Sequence, residues 1–244
     1  MQPDLEDALV PVKWAEAQIP VFRQRFITWQ RSHPYELVME PDPDAPEWEF
    51  LTAYLRTPID PILVGCAGAI INSARTALDM LWMLLIRRHG KKPKGNTGFP
   101  IRDTAAHFDT AADVLKLEYG GTDTEVAAIK KTRTYKGGNN HLYPLHHLDI
   151  ERKHHRILVL EPDIEVMHIT LLNGHLYADF RWLQDKTITH RIPTRAHFRP
   201  SHGNALLSAQ VLLNEPAFLL AKQPAHLVLG WFTGTVRTII ENFP

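Results

Sequence analysis

A histidine-rich run at residues 146–156 contains the side-chain types that acid–base or metal chemistry requires. It reads HHLDIERKHHR, with four histidines and two carboxylates. Residues three, four or seven positions apart share one face of a helix. In a helix over this run, one side carries His147, Glu151 and His154, and a neighbouring side carries His146, Asp149 and Lys153. Because solvated helix faces are usually built from Lys and Glu rather than His, the run is a candidate site.

A second polar group interrupts the most apolar helical stretch of the chain. Asn72, Arg75 and Asp79 follow i, i+3, i+7 spacing and form one stripe on a helix otherwise built to be buried. A buried Arg or Asp costs several kcal/mol unless it is paired and hydrogen-bonded. We therefore expect the histidine-rich helix to pack face to face with this helix, with a polar network between them.

One chemistry that this network could carry out is metal-independent cleavage of a phosphodiester in RNA or a nucleotide. An imidazole titrates near neutral pH and can act as general acid or base, and cationic side chains stabilise phosphate charge. The predicted catalytic residues are His147, His154, Arg75 and Asp79. The predicted substrate-binding residues are Asn72, His146, Asp149, Glu151, Lys153, His155 and Arg156. This chemistry requires no cofactor.

Two alternatives stay open. In the first, the cluster is a structural polar clamp that fixes the register of two helices, and the protein is a non-enzymatic binding or interaction protein. In the second, His147, Glu151 and His154 or His155 hold a metal ion, with Asp79 completing the set. Lys153 and the nearby arginines would oppose a cation, and the run lacks the His-Glu-x-x-His order of metalloproteases.

The distribution of charge favours an anionic ligand for the middle of the chain. Residues 1–60 have six more acidic than basic side chains, whereas residues 61–160 have six more basic than acidic ones. A basic excess attracts RNA or a nucleotide, unless the acidic first segment packs beside it and cancels its field.

A membrane partner is not expected from the sequence. The N-terminus lacks the basic-then-apolar layout of a signal peptide. The apolar run at residues 80–86 is far shorter than the roughly 20 residues that span a bilayer. We therefore expect a cytoplasmic location, and the single cysteine excludes an intramolecular disulfide.

The predicted helices and strands that position these residues indicate an α+β fold in one domain over residues 1–244. We expect helices packed on an antiparallel β-meander, with the polar two-helix pair in the interior. The helical part covers about 1–155 and includes a short N-terminal hairpin; the meander and a closing helix cover about 156–244. Asn173-Gly174 is a strong hairpin signal. Helices are predicted at residues 5–31, 61–89, 103–108, 122–133, 141–155 and 226–243, and strands at 35–40, 48–56, 164–172, 176–183, 187–192 and 205–213.

Two separated motifs resemble those of a family of uncharacterised bacterial and phage proteins. The first motif is Asn72-x-x-Arg75-x-Ala77-Leu78-Asp79, and the second is Leu145-His146-x-Leu148-Asp149-x-x-x-Lys153-His154. Phe99-Pro100 matches a Phe-Pro pair between them, and the likeness covers about residues 30–185. The family usually has Arg after the Lys-His pair, where this chain has His155 followed by Arg156. The resemblance implies a shared fold and site, and no established activity comes with it.

Overall fold

In the residues that it describes, the computed structural model contains six α-helices and eight β-strands, which confirms the α+β class. The described residues are 5–95, 97–154, 160–171, 174–178, 181–182, 187–193, 205–213 and 223–244. Within them, the side chains of residues 37, 51, 53, 154 and 161–213 lie outside the description.

The helices agree closely with the sequence-based boundaries in five of six cases. They are α1 (Leu5–Arg31), α2 (Pro61–Arg88), α3 (Ala105–Tyr119), α4 (Asp123–Lys131), α5 (Leu142–His154) and α6 (Ala225–Glu241). The strands are β1 (Tyr35–Pro41), β2 (Trp48–Leu55), β3 (Leu160–Leu171), β4 (Gly174–Ala178), β5 (Arg181–Trp182), β6 (Thr187–Pro193), β7 (Ala205–Leu213) and β8 (Gln223–Pro224).

The chain divides into two compact units, so the expectation of one domain over residues 1–244 stays a prediction. One unit comprises residues 1–23, 64–159 and 213–244, and the other comprises residues 24–63 and 160–212. The first unit contains both stretches that the sequence singles out as a candidate site. The second unit contains β1 to β6 and all of β7 except Leu213.

Helix α3 is longer than the sequence pattern indicates, because its ends are set by caps rather than by hydrophobic periodicity. Thr104 accepts a hydrogen bond from the backbone N–H of His107 at the N-terminus, and Gly120 ends the helix with φ of 80°. Helix α4 begins with a capping box in which Thr122 and Glu125 satisfy each other's backbone N–H groups. The caps at Gly120 and Thr122 fix where α3 ends and where α4 begins, on either side of the turn at residues 120–122.

In the second unit, β1 and β2 form an antiparallel hairpin with Tyr35 opposite Leu55 and Pro41 opposite Glu49. Strand β6 pairs with the other edge of β2, and β5 pairs with β6. The predicted hairpin between β3 and β4 is confirmed, with Leu171 opposite Gly174. The later strands therefore do not form one sequential meander. An isolated two-stranded hairpin is marginally stable, and β6 supplies the third strand that it needs.

Helix α2 contributes the largest set of buried apolar side chains in the first unit. Ile70, Ile71, Leu78 and Leu81 are fully buried. By length and composition this helix could also cross a membrane, which the short apolar run at residues 80–86 did not indicate. The buried core helix of a soluble protein has the same features. In this structure the polar stripe of α2 is engaged by its neighbours, as described below.

Candidate functional site

The centre of the site is the side chain of Arg75, which α2 holds almost completely buried. Its Nη1 lies 2.8 Å from Oδ1 of Asp79, one helical turn further along α2. Its Nη2 donates to the carbonyl oxygen of Phe99 at 3.2 Å. Its Nε donates to Nδ1 of His146 on α5, also at 3.2 Å. One guanidinium therefore joins α2, the segment before α3 and α5.

The carboxylate of Asp79 fixes the segment at residues 98–101 against α2. The backbone N–H of Phe99 donates to Oδ1 of Asp79 at 2.9 Å. Burial raises the pKa of Asp79, and the charge of Arg75 opposes that shift. A Cβ at Gly98 would lie 2.6 Å from this oxygen, so glycine is required for the close approach. The Phe-Pro pair of the sequence motif is thus part of the same assembly.

Asp149 is the corresponding acceptor on α5, with 3% of its surface exposed. Asn72 on α2 donates to its Oδ1 at 3.1 Å. Lys153 donates to its Oδ2 at 2.5 Å, and Arg152 donates to Oδ1 at 3.3 Å. The predicted pairing of the two helices through a polar network is confirmed. We call the set Asn72, Arg75, Asp79, His146, Asp149, Arg152 and Lys153 the inner network.

His146 is held as a neutral imidazole. Burial lowers its pKa to about 4, and the neighbouring charge of Arg75 contributes in the same direction. Because Nδ1 accepts from the Arg75 Nε–H, the ring proton at neutral pH resides on Nε2. His146 was predicted to contact substrate; here its Nδ1 is used by the protein itself.

His147 belongs to a second, more exposed set. Its ring centroid lies 4.2 Å from that of Tyr143, and its Nε2 lies 3.9 Å from Oδ1 of Asp103. The Tyr143 hydroxyl donates to the same carboxylate oxygen at 2.8 Å. Burial and this hydrogen bond raise the pKa of Tyr143 to about 12, while burial lowers the pKa of His147. We call Asp103, Tyr143 and His147 the outer group.

The structure therefore separates the predicted catalytic residues. Arg75 and Asp79 lie in the inner network, and His147 lies in the outer group, although the rings of His146 and His147 are 5.6 Å apart. Glu151 is half-buried, and its charge opposes the lowering of the His147 pKa by burial. The side chain of His154, and all of His155 and Arg156, lie outside the described residues.

Sequence reasoning missed Arg152, Tyr143 and Asp103. The first two carry a detectable signal, since Arg152 is three residues after Asp149 and Tyr143 is four residues before His147 on the same helix. Asp103 carries none, because it reaches the outer group from a loop that is distant in sequence. Among the described side chains, no cluster of three or more His, Cys, Asp or Glu residues could hold a metal ion.

A cavity of about 700 Å³ lies between α4, the start of α5 and α6, all within the first unit. Its lining is partly apolar and partly polar and includes several small residues of α6. The lining residues are Ala128, Lys131, Thr132, Asn139, His141, Gly230, Trp231, Gly234, Thr235, Thr238, Ile239, Asn242 and Phe243. No pattern in the sequence indicated this cavity.

Comparison with known proteins gives no family assignment. No family model matches the chain, and neither a curated protein nor a solved structure matches it. Membership of the bacterial and phage group stays a prediction based on the two motifs.

We expect the substitution Arg75→Met to lower the free energy of unfolding by about 3 kcal/mol, because it leaves the Asp79 carboxylate without its buried partner. The lower end of the range for a broken buried pair applies since Asp79 is 38% exposed. Urea denaturation measures the change. Arg87→Met, at an exposed position of the same helix, is the control and should change stability by about 0.5 kcal/mol or less. Equal stability of the two variants would contradict a buried role for Arg75.

The low pKa of His146 predicts acid sensitivity. The unfolded chain takes up this proton near pH 6.5, whereas the folded chain takes it up near pH 4. The neutral ring's contribution to stability is therefore complete above about pH 6.5 and is lost as the pH falls towards 4. Because the ring keeps some solvent contact, we expect a loss of about 1–2 kcal/mol.

Urea denaturation between pH 7 and pH 4 tests this dependence. In the variant His146→Gln, whose side-chain oxygen can still accept from Arg75, the loss of stability on acidification should be smaller than in the wild type. His107→Gln, at an exposed position on α3, should leave the acid dependence unchanged. Identical pH profiles for the wild type and His146→Gln would show that this ring is not held neutral.

Proposed function

We propose that the protein is a non-enzymatic binding protein in which the inner network acts as a structural clamp. The observation that carries the proposal is the engagement of Arg75, whose three nitrogens contact Asp79, the Phe99 carbonyl and His146. To bind a phosphate, this side chain would have to leave those partners. Breaking a buried pair costs about 3–5 kcal/mol, which opposes a role in substrate binding.

The state of Asp149 supports the same proposal. Its buried carboxylate accepts from Asn72, Arg152 and Lys153. The cationic ends of Arg152 and Lys153, which a phosphodiesterase would need for phosphate charge, are directed at this carboxylate. Each charged group of the inner network thus has an oppositely charged partner within the network, although its three cations and two carboxylates leave a formal charge of +1. A clamp requires this pairing, whereas a catalytic site keeps charged groups for its substrate.

A double substitution distinguishes a clamp from a catalytic set. Replacing both members of a buried ion pair by apolar residues is often neutral, whereas removing one member is destabilising. We expect Arg75→Met/Asp79→Leu to recover at least half of the stability that Arg75→Met loses, as measured by urea denaturation. We also expect wild type and double variant alike to show no hydrolysis of RNA or cyclic nucleotides. Turnover by the wild type that the double variant loses would overturn the clamp.

The outer group favours a second candidate function, the metal-independent phosphodiesterase. His147 is one-third exposed and its Nε2 faces Asp103, an arrangement in which a carboxylate orients an imidazole for proton transfer. Lys136 lies close enough to lower the pKa of His147 and could meet phosphate charge. In this candidate the reaction takes place at the outer group, and the inner network holds α5 in position.

The second candidate predicts a specific loss of activity. Against RNA and cyclic nucleotides, with a chelator present throughout, His147→Ala should lower kcat by about 100-fold or more, the usual contribution of a general acid or base. The exposed His107→Ala is the matched control and should keep the wild-type rate. A wild type without turnover, or a variant with unchanged kcat, removes this candidate and leaves the binding protein.

A further inference from the structure

We propose that the cavity between α4, α5 and α6 binds a planar aromatic anion, that is, an aromatic ring carrying a carboxylate, sulfonate or phosphate group. The inference deepens the proposed binding function by naming the class of ligand. Three observations support it: the open space beside α6, the stacked rings of Trp231 and His141, and the charge of the residues that line the cavity.

The shape of the cavity depends on two glycines of α6. Gly230 and Gly234 are one helical turn apart and both line the cavity. A Cβ at either position would meet nothing within 4 Å, so the space beside this part of the helix is open. The volume of about 700 Å³ lies within the range of about 300–1,000 Å³ that is usual for small-molecule sites. A flat ring could therefore lie directly against the helix backbone.

Two stacked aromatic rings border the open space beside Gly230 and Gly234. Trp231 stacks on His141, with ring centroids 5.7 Å apart and an interplanar angle of 16°. Nδ1 of His141 is hydrogen-bonded to the Thr235 hydroxyl at 2.9 Å, which fixes the imidazole plane. Trp231 keeps 37% of its surface exposed, an unusual exposure for the largest side chain. Offset stacking on such a surface favours a planar aromatic ligand.

The charge of the lining selects an anion. Lys131 is the charged residue among the lining residues, which include no carboxylate. Among the described side chains, the Lys131 ammonium group lies in no ion pair, and the residue is exposed. The other basic residue at the last turn of α4, Lys130, is paired with Asp113 at 2.8 Å. The two neighbouring lysines therefore differ, and Lys131 can meet a negative group on a ligand at the rim.

Two fluorescent probes that differ by one sulfonate test the inference. 8-Anilinonaphthalene-1-sulfonate and the neutral N-phenyl-1-naphthylamine are titrated separately into the full-length protein, and the dissociation constants are compared. We expect one site for each probe. Gly234→Leu, which fills the open space beside α6, should weaken the binding of both probes at least about tenfold, equivalent to about 1.4 kcal/mol. Lys131→Gln should weaken the anionic probe roughly fivefold and leave the neutral probe unchanged.

Matched controls separate filling of the cavity from general effects. Gly65→Leu makes the same change on the open surface of α2, and Lys92→Gln removes an exposed lysine outside the cavity. Both controls should bind the probes as the wild type does. If Gly234→Leu unfolds, Gly230→Leu replaces it, and circular dichroism establishes that the variant used is folded.

Three results would overturn the inference. They are wild-type affinity in folded glycine variants, an equal loss in Gly65→Leu, and a loss of both probes in Lys131→Gln. None of these results bears on the inner network, because its test is the stability of Arg75 variants. Conversely, if nuclease activity overturned the clamp, probe binding with the expected pattern would still support the site for an aromatic anion.

Discussion

The buried guanidinium of Arg75 is the constraint on which the assembly of the first unit depends. Burial disfavours its charged form and lowers its pKa, and the nearby carboxylates oppose that shift. Its donors point in several directions, so no single residue can satisfy them all. The partners come from three parts of the chain: Asp79 one turn further along α2, the Phe99 carbonyl before α3, and His146 on α5. These segments must meet for the charge to be buried at all.

Close packing and polar pairing reinforce each other in this assembly. A Cβ at Gly98 would lie 2.6 Å from Asp79 Oδ1, and a Cβ at Gly68 would lie 2.5 Å from the Arg152 side chain. Any larger residue at these two positions would move a hydrogen-bonding partner. The geometry of the inner network is therefore set partly by residues with no polar side chain, and interiors packed at protein density transmit such displacements.

The helix pair could be predicted from the sequence, whereas the partners within it could not. The polar side chains of a stripe on a buried helix need hydrogen-bond and charge partners, and the histidine-rich run contains side chains that can supply them. Which histidine faces α2 depends on a rotation of about 100° per residue, and here His146 does so while His147 faces Asp103. The Phe99 carbonyl has no signature in sequence, because every residue has one. The pairing of β6 with β2 was missed for a similar reason, since an edge strand accepts any extended partner.

Helix α5 connects the inner network to the cavity. Its N-terminus is capped by Asn139, whose side-chain oxygen accepts from the backbone N–H groups of His141 and Leu142 at 2.9 Å. The same end therefore carries the His141 ring into the cavity, while the next turns carry His146 and Asp149 into the inner network. A short helix held at both ends has little freedom to shift along its axis. In the proposed binding protein, the inner network thus serves binding without touching a ligand, because it preorganises one wall of the proposed site and lowers the entropy lost on association.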